Sequence, residues 1–137
     1  MLLGNYILYK YIFNLPNGID KYEALKIEIP NIFKNKTIKV YKDILKGNIY
    51  YKEIRHDDNI INVIKIILYI ILNSDNYKDI INMLNCQTGY TNIYSSLTCF
   101  IGSIIYKKDE LIEKMIKDIK NKTDINKYIK GFEKVIK

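Results

Sequence analysis

The chain has few of the residues that build metal frameworks, disulfide networks and base-reading surfaces. It contains two cysteines and one histidine, His56, and all of its 22 basic residues except Arg55 are lysines. Two thiols and one imidazole do not supply a zinc framework, and reduced thiols are typical of cytosolic proteins. With one arginine the chain has little capacity for bidentate contacts to bases or phosphates. We therefore expect no nucleic-acid partner, although the net charge is +7; the lysines alternate with acids, as on a solvated helix face.

Long apolar runs are also absent from the sequence. The longest, residues 66–72, directly follows Lys65 and is far shorter than the ~20 residues that a membrane-spanning helix needs. Residues 1–13 are apolar but lack the basic start and the small-residue cleavage site of a signal peptide. We expect a soluble, cytoplasmic protein without a membrane partner.

The apolar positions that are present follow a helical period. At 137 residues the chain is long enough to bury roughly two-thirds of its unfolded surface in one core. We predict a single all-helical (all-α) domain over 1–137, a compact orthogonal arrangement of about seven helices around a buried central helix at 91–106. No charged side chain occurs between Asp79 and Lys107, so this helix is expected to be the most buried element, with Leu97 and Ile101 inward. Small residues such as Gly102 let a second helix come close to it.

Further helices are predicted from apolar spacing and from capping residues. One local alternative stays open, a β-hairpin of residues 37–44 with 48–54. The predicted helices cover 2–14; 21–26 after Asp20; 31–46, ended by Gly47; a segment from Asp57 or Asp58 to Leu72; 77–84 after Ser74 or Asp75; 111–120 after Asp109; and 125–136 after Asp124.

Two sequence features are candidates for chemistry. His56-Asp57-Asp58 is the one place where a base adjoins carboxylates, which can bind a metal or orient a water, but capping of the next helix is the better interpretation. The turn before the central helix is where we expect any function to concentrate. Cys86 lies in it, yet no histidine is nearby in the sequence to lower the pKa of either cysteine, so a thiol nucleophile is not expected.

The segment from Ile60 to Ile112, IINVIKIILYIILNSDNYKDIINMLNCQTGYTNIYSSLTCFIGSIIYKKDELI, resembles the C-terminal half of the ADP-ribosylglycohydrolase family. The shared pattern is an apolar helix, a stretch like Ser74-Asp75-Asn76-Tyr77, a small-residue turn, and a helix punctuated by small residues. A weaker likeness, including the KYEALK stretch, extends back to Asp20. The family's turn carries two aspartates that bind magnesium, and here Gln87 and Gly89 occupy their positions while Thr88 matches.

The resemblance implies a truncated or catalytically degenerate ADP-ribosylglycohydrolase-like protein. An amide and a glycine do not replace two carboxylate ligands of magnesium, so no metal and no cofactor are expected and the chain alone is not expected to be an active hydrolase. The resemblance makes Gln87, Thr88, Gly89 and Tyr90 the candidate ligand-binding turn, with an ADP-ribose-like ligand and a second chain that completes the fold as candidate partners.

An alternative function is that of a small helical interaction protein. Viral inhibitors of apoptosis or innate signalling with the B-cell-lymphoma fold are also helical, of this size, and built around a buried central helix. Of the groove-defining turn of their cellular relatives, the stretch Thr91-Asn92-Ile93-Tyr94 keeps only the asparagine.

Overall fold

A computed structural model describes residues 2–87, 91–107 and 109–136 of the chain. Every regular element in those residues is helical, so the all-α prediction is confirmed. The alternative of a β-hairpin is wrong, because 37–44 lie in a helix. Seven α-helices occur in the described part: α1 (Leu2–Asn14), α2 (Asn35–Leu45), α3 (Ile60–Leu72), α4 (Tyr77–Asn85), α5 (Thr91–Ile105), α6 (Glu110–Lys117) and α7 (Lys122–Ile136).

Short 3₁₀ turns occupy Leu15–Asn17, Glu23–Leu25 and Tyr51–Glu53. The second of these replaces the short helix that was predicted over 21–26. Helix α2 starts four residues later than predicted, since the chain first makes a turn in which the amide of Phe33 donates to the carbonyl of Pro30 at 3.2 Å. Its end at Gly47 was predicted correctly: this glycine has φ of 72°, a conformation that favours glycine after a helix.

The chain divides into two units, residues 1–107 and 108–137. In the first unit the most buried helix is α3, and the prediction that α5 would be the most buried element is wrong. Helix α5 packs against α3 and α4, but Ile93 and Phe100 on its other side are exposed and Leu97 is half-buried. The eight buried residues of α3 are Val63, Ile64, Ile66, Ile67, Leu68, Ile70, Ile71 and Leu72.

The close approach expected at Gly102 is present. This residue is buried, and a Cβ atom built on it would clash with Cδ1 of Ile80 and would lie 3.2 Å from a ring carbon of Tyr77, both on α4. Glycine therefore lets α4 lie directly on α5, just before the end of the latter.

The helix caps differ from the predicted ones at three starts. At α3 the cap is Asn59, whose side chain accepts from the amide of Ile61 at 3.0 Å, and not Asp57 or Asp58. At α4 it is Asn76 rather than Ser74 or Asp75. These asparagines have the extended backbone that a cap needs. Helix α7 begins before Asp124, because the amide of Ile125 already donates to the carbonyl of Asn121 at 3.0 Å.

The second unit contains α6 and α7, and the predicted cap Asp109 does begin α6, accepting from the amide of Leu111 at 2.9 Å. Both helices carry apolar residues along one side. No described side chain of this unit is buried; Tyr128, Phe132 and Val135 on α7 are mostly exposed. The expectation of one domain over the whole chain stays a prediction.

Candidate functional site

A cleft of about 380 Å³ opens in the first unit beside Gln87, the first residue of the predicted ligand-binding turn. Its volume lies in the range of small-molecule sites, which starts near 300 Å³. Three segments form it: the 3₁₀ turn at Tyr51–Glu53, the outer side of α3, and the C-terminal end of α4. We call it the tyrosine cleft; its lining residues are Tyr51, Tyr69, Asn82, Met83, Cys86 and Gln87.

Two tyrosines form the aromatic side of the cleft. The rings of Tyr51 and Tyr69 lie with their centroids 5.4 Å apart and are tilted by 39°, and the ring of His56 meets Tyr51 edge-on at 5.9 Å. Tyr69 is half-buried and Tyr51 is exposed at its outer side. Aromatic faces that are open to solvent on one side can stack on a flat ring of a ligand.

The opposite side of the cleft is fixed by the end of α4. The amides of Cys86 and Gln87 donate to the carbonyls of Met83 and Leu84 at 3.3 and 3.0 Å, which closes the last turn of the helix. The side-chain Nε2 of Gln87 donates to the carbonyl of Met83 at 3.0 Å. The side chain of Gln87 is therefore held in place at the cleft and does not project freely into solvent.

Two polar atoms in this region are buried without a hydrogen-bond partner among the described residues, Oε1 of Gln87 and Nδ1 of His56. A buried polar atom without a partner costs free energy of about 1–3 kcal/mol. The Gln87 oxygen is an acceptor, so the group that would satisfy it is an N–H or O–H donor. The oxygen has almost no exposed surface, so a ligand in the cleft supplies such a donor only after the Gln87 side chain turns toward it.

The chemistry available in the cleft is neutral, because none of its described lining side chains carries a formal charge. Cys86 has a free, exposed thiol. On α5 the buried Tyr94 has its pKa raised, first by burial and then by the nearby Tyr51. Such a site can bind by stacking and hydrogen bonding, but it offers no carboxylate for general acid–base work.

Of the four residues predicted for the ligand-binding turn, Gln87 lines the cleft, and Thr88, Gly89 and Tyr90 lie outside the described residues.

His56 and the two following aspartates are only partly brought together with this site. The His56 ring joins the aromatic side, while Asp57 serves the start of α3, accepting from the amide of Asn59 at 3.1 Å and from the side-chain amide of Asn62 at 2.8 Å. The hydrogen bond from Asn62 is the main reason that the pKa of Asp57 lies below its usual range. Within the ranges that the structure describes, no cluster of three or more metal-binding side chains occurs.

Sequence reasoning missed the two tyrosines, which it attributed to packing. A signal for Tyr69 was present: it lies on the side of α3 that also carries Asn62 and Lys65, opposite the apolar stripe. Nothing in the sequence indicates that Tyr51 meets it.

No helix in the described ranges is long and apolar enough to cross a membrane. Comparison of the chain with protein-family models, with curated proteins and with solved structures finds no match.

Proposed function

We propose that the chain is a non-catalytic, ADP-ribosylglycohydrolase-like protein that binds an adenine nucleotide of the ADP-ribose type in the tyrosine cleft. The observation that carries the proposal is the position of Gln87. This residue of the candidate ligand-binding turn has a buried amide oxygen without a hydrogen-bond partner among the described residues, and it lines the same cleft as two tyrosine rings. Adenine presents a flat face, on which tyrosine rings can stack, and an exocyclic amine, which can donate to the amide oxygen.

The proposed contacts follow from the lining residues. The purine stacks on Tyr51 and Tyr69, a contact worth roughly 1–3 kcal/mol per base. The Gln87 side chain turns toward the ligand so that its Oε1 atom accepts from the adenine amine. The exposed amide of Asn82 is available to a ribose hydroxyl. The positive net charge of the chain favours approach of an anionic nucleotide. Adenine is preferred over guanine, since guanine has a carbonyl where adenine has the donating amine.

Hydrolysis is not part of the proposal. The described cleft residues supply no carboxylate, and cleavage of an ADP-ribosyl bond needs a positioned base or a metal-bound water. If a second chain completes the site, it has to bring the acidic residues. The isolated chain is therefore proposed to bind without releasing product, with or without magnesium.

Isothermal titration of the full chain with AMP, ADP-ribose and GMP tests binding. We expect saturable binding of the adenine compounds, weaker binding of GMP, and a roughly tenfold loss on Tyr69→Leu, which corresponds to about 1.4 kcal/mol. Gln87→Leu should remove the preference for adenine over guanine. The matched control is Tyr128→Leu on α7, an exposed tyrosine outside the cleft, which should leave binding unchanged.

Equal affinity of the wild-type chain for AMP and GMP, or no binding of either, would contradict the proposed contacts. A second assay measures release of ADP-ribose from modified protein. Turnover that disappears on chelation and on Asp57→Asn or Asp58→Asn would overturn the non-catalytic assignment and would make those aspartates a metal site.

A second candidate function, a helical interaction protein, is favoured by the apolar side of α7. Tyr128, Phe132 and Val135 are exposed there at the i, i+4, i+7 spacing by which amphipathic helices enter grooves of partners. Affinity capture from cells with wild-type and Phe132→Glu chains, with Tyr69→Leu alongside, separates the two functions. Partners lost with Phe132→Glu but kept with Tyr69→Leu would support the interaction protein.

A further inference from the structure

A second pocket of the first unit lies where the segment after α1 meets the end of α5. It has a volume of about 300 Å³ and shares no lining residue with the tyrosine cleft. Each of the two segments contributes aliphatic side chains and one lysine to its lining. We call it the lysine pocket; its lining residues are Leu15, Pro16, Gly18, Ile19, Lys21, Ile104, Ile105 and Lys107.

Among the described residues, the ammonium group of Lys21 has a neutral hydrogen-bond partner. Lys21 is half-buried, and its Nζ donates to the carbonyl of Ser74, a residue that is itself buried. No carboxylate in the described parts of the chain forms an ion pair with it; the ion pair that is present joins Lys26 and Glu23. An ammonium has three donors, so two of them are available to an anion, and hydrogen bonds between ions are about twice as strong as neutral ones.

The surroundings of the pocket also contain a donor without a partner. The hydroxyl of Tyr11 is fully buried and has no hydrogen-bond partner among the described residues. Burial, and after it the nearby Asp20, raise the pKa of Tyr11, and Asp20 is the direct chain neighbour of the lining residue Lys21. The hydroxyl of Tyr106 is already used, since it donates to the carbonyl of Ser74 at 2.6 Å.

We propose that the lysine pocket binds a small amphipathic carboxylate, whose charged group lies between Lys21 and Lys107 and whose aliphatic part lies against Leu15, Ile104 and Ile105. The pocket supplies contact with aliphatic side chains and two lysines, and its described lining contains no acidic side chain. That combination matches an anion with a short apolar tail. A cation of the same length meets repulsion at both lysines, and a bare anion leaves the aliphatic wall unused.

Titration of the ¹⁵N-labelled full chain with octanoate, followed by amide chemical shifts, tests this assignment. We expect saturable shifts at residues 15–21 and 104–107, and none at 82–87. Octylamine has the same tail with a positive head and should not bind, and inorganic phosphate should bind at least tenfold more weakly than octanoate.

Two variants and a matched control locate the charge contacts. Lys21→Met and Lys107→Met should each weaken octanoate binding at least fivefold. Lys26→Met should leave it unchanged, because Lys26 is exposed and pairs with Glu23 at 2.7 Å. Lys107 is also exposed, so its substitution tests the contact even if the loss of Lys21 disturbs the loop.

The proposal is overturned if octanoate produces no saturable shifts at millimolar concentration, if octylamine binds as well as octanoate, or if the affinity survives both Lys21→Met and Lys107→Met. Phosphate binding as tight as that of octanoate would make the pocket a general anion site and would equally overturn the role of the apolar tail.

Discussion

Helices α3 and α7 have similar apolar spacing in the sequence, but α3 is mostly buried and α7 is exposed. Of the 13 residues of α3, eight are buried, whereas every side chain of α7 that the structure describes is exposed. The two helices differ on the side opposite the apolar stripe. Apart from Asn62, Lys65 and Tyr69, α3 is apolar on all sides, while α7 carries lysines such as Lys127, Lys130 and Lys134 opposite its apolar stripe. A helix that is apolar all round has to be buried on several sides.

The comparison shows that apolar periodicity identifies which side of a helix needs cover, but not what covers it. Helix α3 contacts α1, α4 and α5 within the first unit. The apolar stripe of α7 includes Tyr128, Ile129 and Phe132, all exposed. Exposed apolar groups in such a continuous patch are typical of an interaction surface.

The largest expected difference between the two regions is in the cost of removing an isoleucine side chain. Ile67→Ala on α3 removes a side chain with no exposed surface and should lower the free energy of unfolding by about 2–5 kcal/mol, through lost burial and a cavity. Ile129→Ala on α7, a half-exposed position, should change it by no more than about 0.5 kcal/mol. Urea denaturation followed by circular dichroism measures both. Equal losses would mean that α7 is covered in solution.

Substituting one glycine in each unit should change the free energy of unfolding by a smaller amount, with opposite signs in α5 and α7. Gly102→Ala on α5 places a methyl group against Ile80 and Tyr77 and should destabilise the fold by about 1–3 kcal/mol through overpacking. Gly131→Ala on α7 meets no atom within 4 Å and should stabilise its helix by up to about 1 kcal/mol, because alanine has the higher helix propensity. The midpoints of thermal unfolding should move in opposite directions. A drop for Gly131→Ala would show that another surface packs on that side of α7.

The smallest expected effect is a change in the pH dependence of stability, which should differ between substitutions at Tyr11 and at Tyr128. In the unfolded chain the Tyr11 hydroxyl has the ordinary tyrosine pKa of about 10. In the folded chain its pKa is raised, first by burial and then by Asp20. In the folded state the Tyr11 hydroxyl therefore keeps its proton to a higher pH than in the unfolded state. The stability that depends on it is complete below pH 10 and falls as the pH rises further, by about 1.4 kcal/mol per pH unit.

The measurement is urea denaturation at pH 9, 10 and 11. Tyr11→Phe should decline less steeply with pH than the wild type and should not be less stable at pH 7, since the buried hydroxyl has no partner among the described residues. Tyr128→Phe, at a mostly exposed position, should follow the wild-type profile. Identical alkaline profiles for wild type and Tyr11→Phe would mean that this hydroxyl is accessible to water.

Much of the local structure was predictable, as were parts of the site. The bounds of α1, the start and end of α5 within a residue, the cap of α6 and the glycine that ends α2 all follow from spacing and turn residues. The ranking of burial was not predicted correctly: the lack of charge between Asp79 and Lys107 suggested α5, yet Asn92 and Ser96 are polar without being charged and lie exposed on that helix. The abundance of branched aliphatic side chains in α3 was the better indicator.

The positions of the helices along the chain could be predicted from the sequence, because helix formation depends on hydrogen bonds and side chains within a few residues of each other. The position of Gln87 at the end of α4 belongs to this local part. The packing of the helices and turns brings Tyr51 and Tyr69 into the same cleft as Gln87, and Lys21 into the same pocket as Lys107. These contacts depend on which helix faces pack together. The hydrophobic effect is non-directional, so the pattern of apolar residues along the chain does not specify the partner of each face.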